Sequence, residues 1–173
     1  SGHFAEQEGQ SVCAKCPTGK YGTGTERCKA CPSGTFQPTA AAASLAEHCT
    51  HCPRGKYQEL SSSATCIACP SGHFSVTARG TSLGACRTCP TGQFSNVLEA
   101  HTCKDCAVGQ YQDAFGRTSC KECEAGRHNP FPGRSFDTYC YDCPCGKWST
   151  RGSNVCAECP VGQWRAGKRG TNA

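Results

Sequence analysis

Cys52-Pro53-Arg54-Gly55-Lys56-Tyr57, closing at Cys66, and Cys89-Pro90-Thr91-Gly92-Gln93-Phe94, closing at Cys103, are copies of one phrase, Cys-Pro-x-Gly-x-aromatic. A Cys-x-x-Cys pair introduces it each time. Nine such pairs occur: Cys13/Cys16, Cys28/Cys31, Cys49/Cys52, Cys66/Cys69, Cys86/Cys89, Cys103/Cys106, Cys120/Cys123, Cys140/Cys143 and Cys156/Cys159. Three places after the second cysteine stands a glycine in every copy: Gly19, Gly34, Gly55, Gly72, Gly92, Gly109, Gly126, Gly146 and Gly162. A backbone held at positive φ in a tight turn explains that invariance, with the preceding proline fixing its own φ to set up the turn. Ala107 and Glu124 replace the proline in two copies. Two places past the glycine stand Tyr21, Phe36, Tyr57, Phe74, Phe94, Tyr111, Trp148 and Trp164, with His128 the one departure. Rings at this regular place are expected to cover the adjacent sulfurs as small private cores, rather than to form a ligand-stacking surface.

The repeat organises the whole chain, and repetition of this kind is read before secondary structure. It divides the sequence into a partial repeat over 1–12, repeats over 13–27, 28–48, 49–65, 66–85, 86–102, 103–119, 120–139 and 140–155, and a partial repeat over 156–173. Ser1-Gly2-His3-Phe4 matches Ser71-Gly72-His73-Phe74, and Arg169-Gly170-Thr171 follows Cys159 as Arg79-Gly80-Thr81 follows Cys69. The expectation is a segment of a longer array, with partners for Cys13 and Cys159 beyond it.

Composition excludes a conventional hydrophobic core. Of 173 residues 19 are cysteine, while Val, Ile, Leu, Met and Phe together number only 18. So few large aliphatics with so many cysteines points to covalent staples in place of burial. No stretch approaches the roughly 18 apolar residues of a membrane span. The formal charge of +5 is spread among interspersed acids and bases, which reads as a solvated surface and not as a nucleic-acid or membrane footprint.

Paired Cys-x-x-Cys motifs at this pitch are also a zinc signature. Disulfides are favoured because the pairs recur evenly and do not group in fours. His3, His48, His51, His73, His101 and His128 show no ligand spacing, and 19 thiols suit an oxidising compartment. No metal or cofactor is expected. Spacing alone leaves the connectivity open, but a bridge within one Cys-x-x-Cys closes a strained loop that ties down little. Joining the second cysteine of one pair to the first of the next is preferred: Cys16 to Cys28, Cys31 to Cys49, Cys52 to Cys66, Cys69 to Cys86, Cys89 to Cys103, Cys106 to Cys120, Cys123 to Cys140 and Cys143 to Cys156. Cys145 is odd. It has three readings: an intermolecular bridge, a bond to another odd cysteine of the array, or a local rearrangement in which it replaces Cys143.

The phrase resembles the ephrin-receptor-like cysteine-rich repeat of extracellular surface proteins. It is also similar to the first small module of tumour-necrosis-factor-receptor cysteine-rich domains, although here one kind of module simply repeats. The resemblance implies small disulfide-rich tandem repeats: an elongated rod of short β-hairpins and turns with little or no helix, in which each repeat touches only its neighbours. Residues 37–48, 75–85 and 129–139 form longer, variable loops. Ala40 to Ala43 with Ser44-Leu45-Ala46-Glu47 is read as a flexible insert, with one helical turn as the alternative. Exposed Ser61-Ser62-Ser63 is a candidate for O-linked sugar, and no Asn-x-Ser/Thr site occurs.

No nucleophile with a base, no carboxylate pair and no phosphate loop is discernible, so an enzyme is not expected. The leading expectation is an extracellular structural element: a stalk, spacer or filament shaft whose partners are copies of itself or other extracellular proteins. A ligand-binding ectodomain of a receptor or adhesin is the alternative, and a zinc-binding cysteine array the third.

Overall fold

The computed structural model describes residues 3–4, 14–22, 27–40 and 49–162. Cys13, His48, Trp164, the stretch after Gly162 and nearly all of the insert over 40–47 lie outside them.

The local logic is clearest in the repeat that begins at Cys52. The Lys56 N–H donates to the Pro53 carbonyl at 3.1 Å, and Gly55 between them has φ 79°. That is a type II turn with glycine at its third position, where positive φ is required. Proline thus stands at the first position and supplies only a carbonyl, so the expectation that its fixed φ builds the turn is corrected. Ala107 and Glu124 serve as well: Gln110 and Arg127 donate to their carbonyls at 3.1 Å.

From the turn the chain runs out as a two-residue strand and reverses through the loop. It returns as the two residues between the cysteines of the next pair. Lys56 therefore lies opposite Ala68 and Tyr57 opposite Ile67, in antiparallel register. Among the described residues there are nine such two-stranded ladders, none joined to a third strand. The Cys69 N–H closes this one onto the Gly55 carbonyl at 2.8 Å, and the Cys52–Cys66 disulfide clamps its loop. Cys16–Cys28, Cys31–Cys49, Cys69–Cys86, Cys89–Cys103, Cys106–Cys120, Cys123–Cys140 and Cys143–Cys156 are bonded alike, with Cα separations across all eight bridges of 5.6–5.8 Å. That span lies within the unstrained disulfide range.

Helix is confined to two 3-10 turns among the described residues, Leu83–Ala85 and Asp137–Tyr139. Both lie in loops that close over 17 residues, and there the closing cysteines, Cys86 and Cys140, are buried. Loops closing over 12–14 residues leave Cys28, Cys66, Cys103, Cys120 and Cys156 half-exposed. A longer loop has enough chain to fold back over its own cystine.

The burial pattern corrects the expected role of the rings. Tyr21, Phe36, Tyr57, Phe74, Phe94, Tyr111, His128 and Trp148 are half-buried, while the second cysteine of each described pair from Cys16 to Cys143 is fully buried. The residue after the ring is buried too, and it is polar: Gln37, Gln58, Ser75, Ser95, Gln112, Asn129 and Ser149. Successive side chains of a strand point to opposite faces. If the ring lies outward, its successor must point in. Buried amides must be satisfied. Gln58 is, its Nε2 donating to the Thr65 carbonyl at 2.7 Å and its Oε1 accepting from the Leu60 N–H at 3.0 Å; Gln112 repeats this with Ser119 and Ala114.

The chain divides into two compact units. One comprises Ser1–Pro70, Phe74–Arg87 and Leu98–His101, the other Ser71–His73, Thr88–Val97 and Thr102–Ala173. Each is built from the same hairpin, turn and cystine.

Candidate functional site

The features singled out by sequence are the cystines and turn glycines, and the structure shows what surrounds them. In the first unit the Gly34 N–H donates to the carbonyl of Gln58, one repeat further on, at 2.8 Å. The Gln58 N–H donates to Gly80 in the next loop at 2.9 Å, and the Arg79 N–H returns to the Cys52 carbonyl at 2.8 Å. In the second unit Gly92, Gln112 and Gly133 make the same three bonds, to Gln112, Arg134 and Cys106, at 2.7, 2.9 and 2.8 Å. These bonds between repeats run backbone to backbone, and side chains add to them: Asn129 Nδ2 donates to the Gln110 carbonyl and Ser149 Oγ to the Arg127 carbonyl, each at 2.9 Å.

Contacts also skip a repeat, which corrects the expectation that each repeat touches only its neighbours. A Cβ built on Gly55 would run into the carbonyl of Glu99, two repeats on, and one on Gly109 into that of Gly152. The residue that approaches the glycine is itself at positive φ: Ser62, Arg79, Glu99, Gly116, Gly133 or Gly152. Side chains follow the same spacing. Lys56 pairs with Glu99 at 3.0 Å, and Arg151 with Glu122 at 3.2 Å.

A charged concavity of the second unit, about 540 Å³, is lined by Tyr111, Lys121, Glu122, Glu124, Arg127 and Arg151, among others. Its cations are committed to acids. Lys121 meets Asp113 at 2.8 Å, and Arg127 grips Asp137 through hydrogen bonds of 2.7 and 2.8 Å to the carboxylate and 2.9 Å to the carbonyl. These pairs hold loops, and each lining cation has an acid beside it.

Their hydrogen bond lowers the Asp113 pKa from the ordinary 3.8 and raises that of Lys121 from 10.5. The pair's contribution is complete at neutral pH. It fades as pH falls through the depressed Asp113 value, and again as pH rises through the elevated Lys121 value. An NMR titration is expected to place the Asp113 carboxyl midpoint below 3.8, and Lys121→Ala to return it there. An unchanged midpoint in that variant would remove Lys121 as the cause.

One group of three metal-competent side chains stands together among the described residues: His128, Cys143 and Cys156, with ligand atoms within 4.8 Å of one another. The two sulfurs are bonded to each other, which leaves one imidazole. His128 Nδ1 lies 3.1 Å from Cys156 Sγ and 3.1 Å from the Tyr141 carbonyl. A carbonyl only accepts, so Nδ1 carries the proton. Cys145 is exposed with a free thiol, and Cys159 is free and half-buried.

Sequence reasoning missed the buried polar position and the skipped-repeat contact. The first had a signal, since a small amide or hydroxyl follows the ring in Gln37, Gln58, Ser75, Ser95, Gln112, Asn129 and Ser149. The second had none beyond glycine itself.

No helix among the described residues is long and apolar enough to cross a membrane. The model of the family described as tyrosine-protein kinase ephrin type A/B receptor-like matches residues 39–86 and 92–138, more than half the chain. No curated protein matches it.

Proposed function

The chain belongs to the ephrin type A/B receptor-like family of cysteine-rich repeats, and from that premise we propose that it is an extracellular spacer, a length of stalk or filament shaft. Repeats of this family are non-catalytic extracellular domains. Eight disulfides suit the same compartment. The observation that carries the reading is the uniform backbone linkage. The same Gly-to-carbonyl bond joins one repeat to the next at Gly19, Gly34, Gly55, Gly72, Gly92, Gly109 and Gly126, with N···O of 2.7–3.1 Å. A backbone bond repeated in this way lets loop sequences vary while repeats are added or removed, as a spacer requires.

The test is length. Arrays shortened or extended by whole repeats are expected to change their maximum dimension in small-angle scattering by a constant increment per repeat. A dimension insensitive to repeat number would contradict the spacer.

A receptor or adhesin ectodomain is the second reading. It is favoured by Leu60, Leu98 and Phe115, which stand 70%, 64% and 67% exposed on successive short loops. Large apolar side chains left in solvent suit a protein ligand.

A further inference from the structure

Two departures from a nine-fold repeat, seventeen residues apart, meet at one cystine. His128 replaces the ring found at that place in the other copies, and Cys145 adds a cysteine found in no other copy. The first puts an imidazole Nδ1 3.1 Å from Sγ of Cys156. The second puts a free, exposed thiol two residues from Cys143, the other half of the Cys143–Cys156 bond. A third feature lies alongside. A cavity of about 280 Å³, mostly apolar, is lined by His128, Pro130, Pro144, Lys147, Val155 and Cys156, so the half-exposed sulfur borders open space.

From this convergence we propose that Cys143, Cys145, Cys156 and His128 form a thiol–disulfide exchange site, acting whether or not the array serves as a spacer. The Cys145 thiolate attacks Cys143 Sγ. A Cys143–Cys145 bond forms as the Cys143–Cys156 bond breaks, and the electron pair leaves on Cys156 Sγ. His128 Nδ1–H stabilises that leaving thiolate; the proton given up by Cys145 goes to water, and Cys156 takes one up from water. One disulfide and one thiol become one disulfide and one thiol, so no oxidant or reductant is needed. Two residues span at most about 7 Å of chain, so a bend at Pro144 brings the two cysteines within bonding distance. Thiol exchange goes faster when the departing sulfur is stabilised as thiolate.

The product presents Cys156 as a thiol beside the His128 imidazole, a neighbour that activates a cysteine. Its covalent partner is one half of a disulfide on an extracellular protein: the Cys156 thiolate bonds to that sulfur as the partner's disulfide breaks, and the partner's other cysteine leaves as a thiol. None of the other repeats carries an extra cysteine in its turn.

The test is alkylation of the full, unreduced chain with N-ethylmaleimide under native conditions, followed by acid quenching and peptide mapping. Label is expected on Cys156 as well as on Cys145 and Cys159, together with a linked Cys143–Cys145 peptide. Cys145→Ser is expected to abolish label on Cys156. His128→Phe, which restores the ring of the other repeats, is expected to slow it by about a hundredfold, the size of a typical acid–base contribution. The proposal fails if Cys143–Cys156 stays intact and Cys156 carries no label, or if Cys143 is labelled in place of Cys156. Label on Cys156 that survives Cys145→Ser also overturns it, as does a His128→Phe rate equal to the parent's.

Discussion

Gly109→Ala is expected to destabilise its repeat by about 3 kcal/mol or more, while Gly146→Ala, in the same turn, costs about 1–2 kcal/mol. The two glycines share a backbone conformation, with φ of 77° and 79°. Any L side chain there meets the left-handed penalty. They differ in what lies beyond the missing Cβ. At Gly109 the carbonyl of Gly152 occupies the space, whereas at Gly146 nothing lies within 4 Å. A backbone carbonyl cannot rotate aside like a flexible side chain, so alanine at 109 must push the loop of the second repeat away. The Gly109 N–H to Asn129 carbonyl bond of 2.7 Å and the Cys123 N–H to Gly109 carbonyl bond of 2.9 Å would be strained with it. Amide hydrogen exchange of the intact-disulfide protein reads the difference. Protection at Cys123 should fall about a hundredfold in the Gly109 variant, and the matching amide, Cys159, much less in the Gly146 variant. Equal losses would mean that the skipped-repeat contact contributes nothing.

The second large effect is expected from removing one staple, with Cys52→Ser and Cys66→Ser together. Loss of a native disulfide from a small secreted domain costs about 2–5 kcal/mol. Here little else resists the loss. Tyr57, the ring of that repeat, is half-buried, and Ile67, opposite it, is 46% exposed. Burial inside the repeat comes from the sulfurs and from Gln58, whose amide holds the loop closed at Thr65. With the bridge gone, that hydrogen bond and the two-residue ladder must hold a 14-residue loop without a covalent tie, and the Cys52 carbonyl loses its fixed place as acceptor for Arg79. Exchange protection should vanish at Lys56, Cys69 and Arg79 and persist in the repeats of Gly109 and Gly126. A double variant as protected as the parent would show that packing holds the repeat together, not the covalent bond.

How much of this could be read from residues alone follows from what the phrase encodes. Cys-Pro-x-Gly-x-aromatic specifies chemistry along the chain, so the tandem disulfide-rich class, the short hairpins and the scarcity of helix are legible in it. Which face of a two-residue strand points inward is not encoded in hydrophobicity. Tyr57 looks like core and Gln58 like surface, yet the amide is buried and the ring half-exposed. The inward face meets backbone carbonyls and N–H groups of the repeat's own loop, such as Thr65 and Leu60 for Gln58, so an amide with four hydrogen-bonding sites fits it better than a ring. The reach of Gly55 to Glu99 depends on the rotation between successive hairpins, which no local pattern states. His128 stood out in the sequence only as a missing ring. Its meaning appeared when the loop of the following repeat brought Cys156 to its Nδ1.

Peptide mapping of the unreduced protein by mass spectrometry tests the central claim most directly, that cystines linking each pair to the next hold the repeats in place of a hydrophobic core. The account predicts linked peptides joining Cys16 to Cys28, Cys31 to Cys49, Cys52 to Cys66, Cys69 to Cys86, Cys89 to Cys103, Cys106 to Cys120 and Cys123 to Cys140, with the thiol exchange confined to the Cys143 pair. Bonds within the Cys-x-x-Cys pairs, or those fourteen cysteines recovered as free or metal-bound thiols, would contradict it.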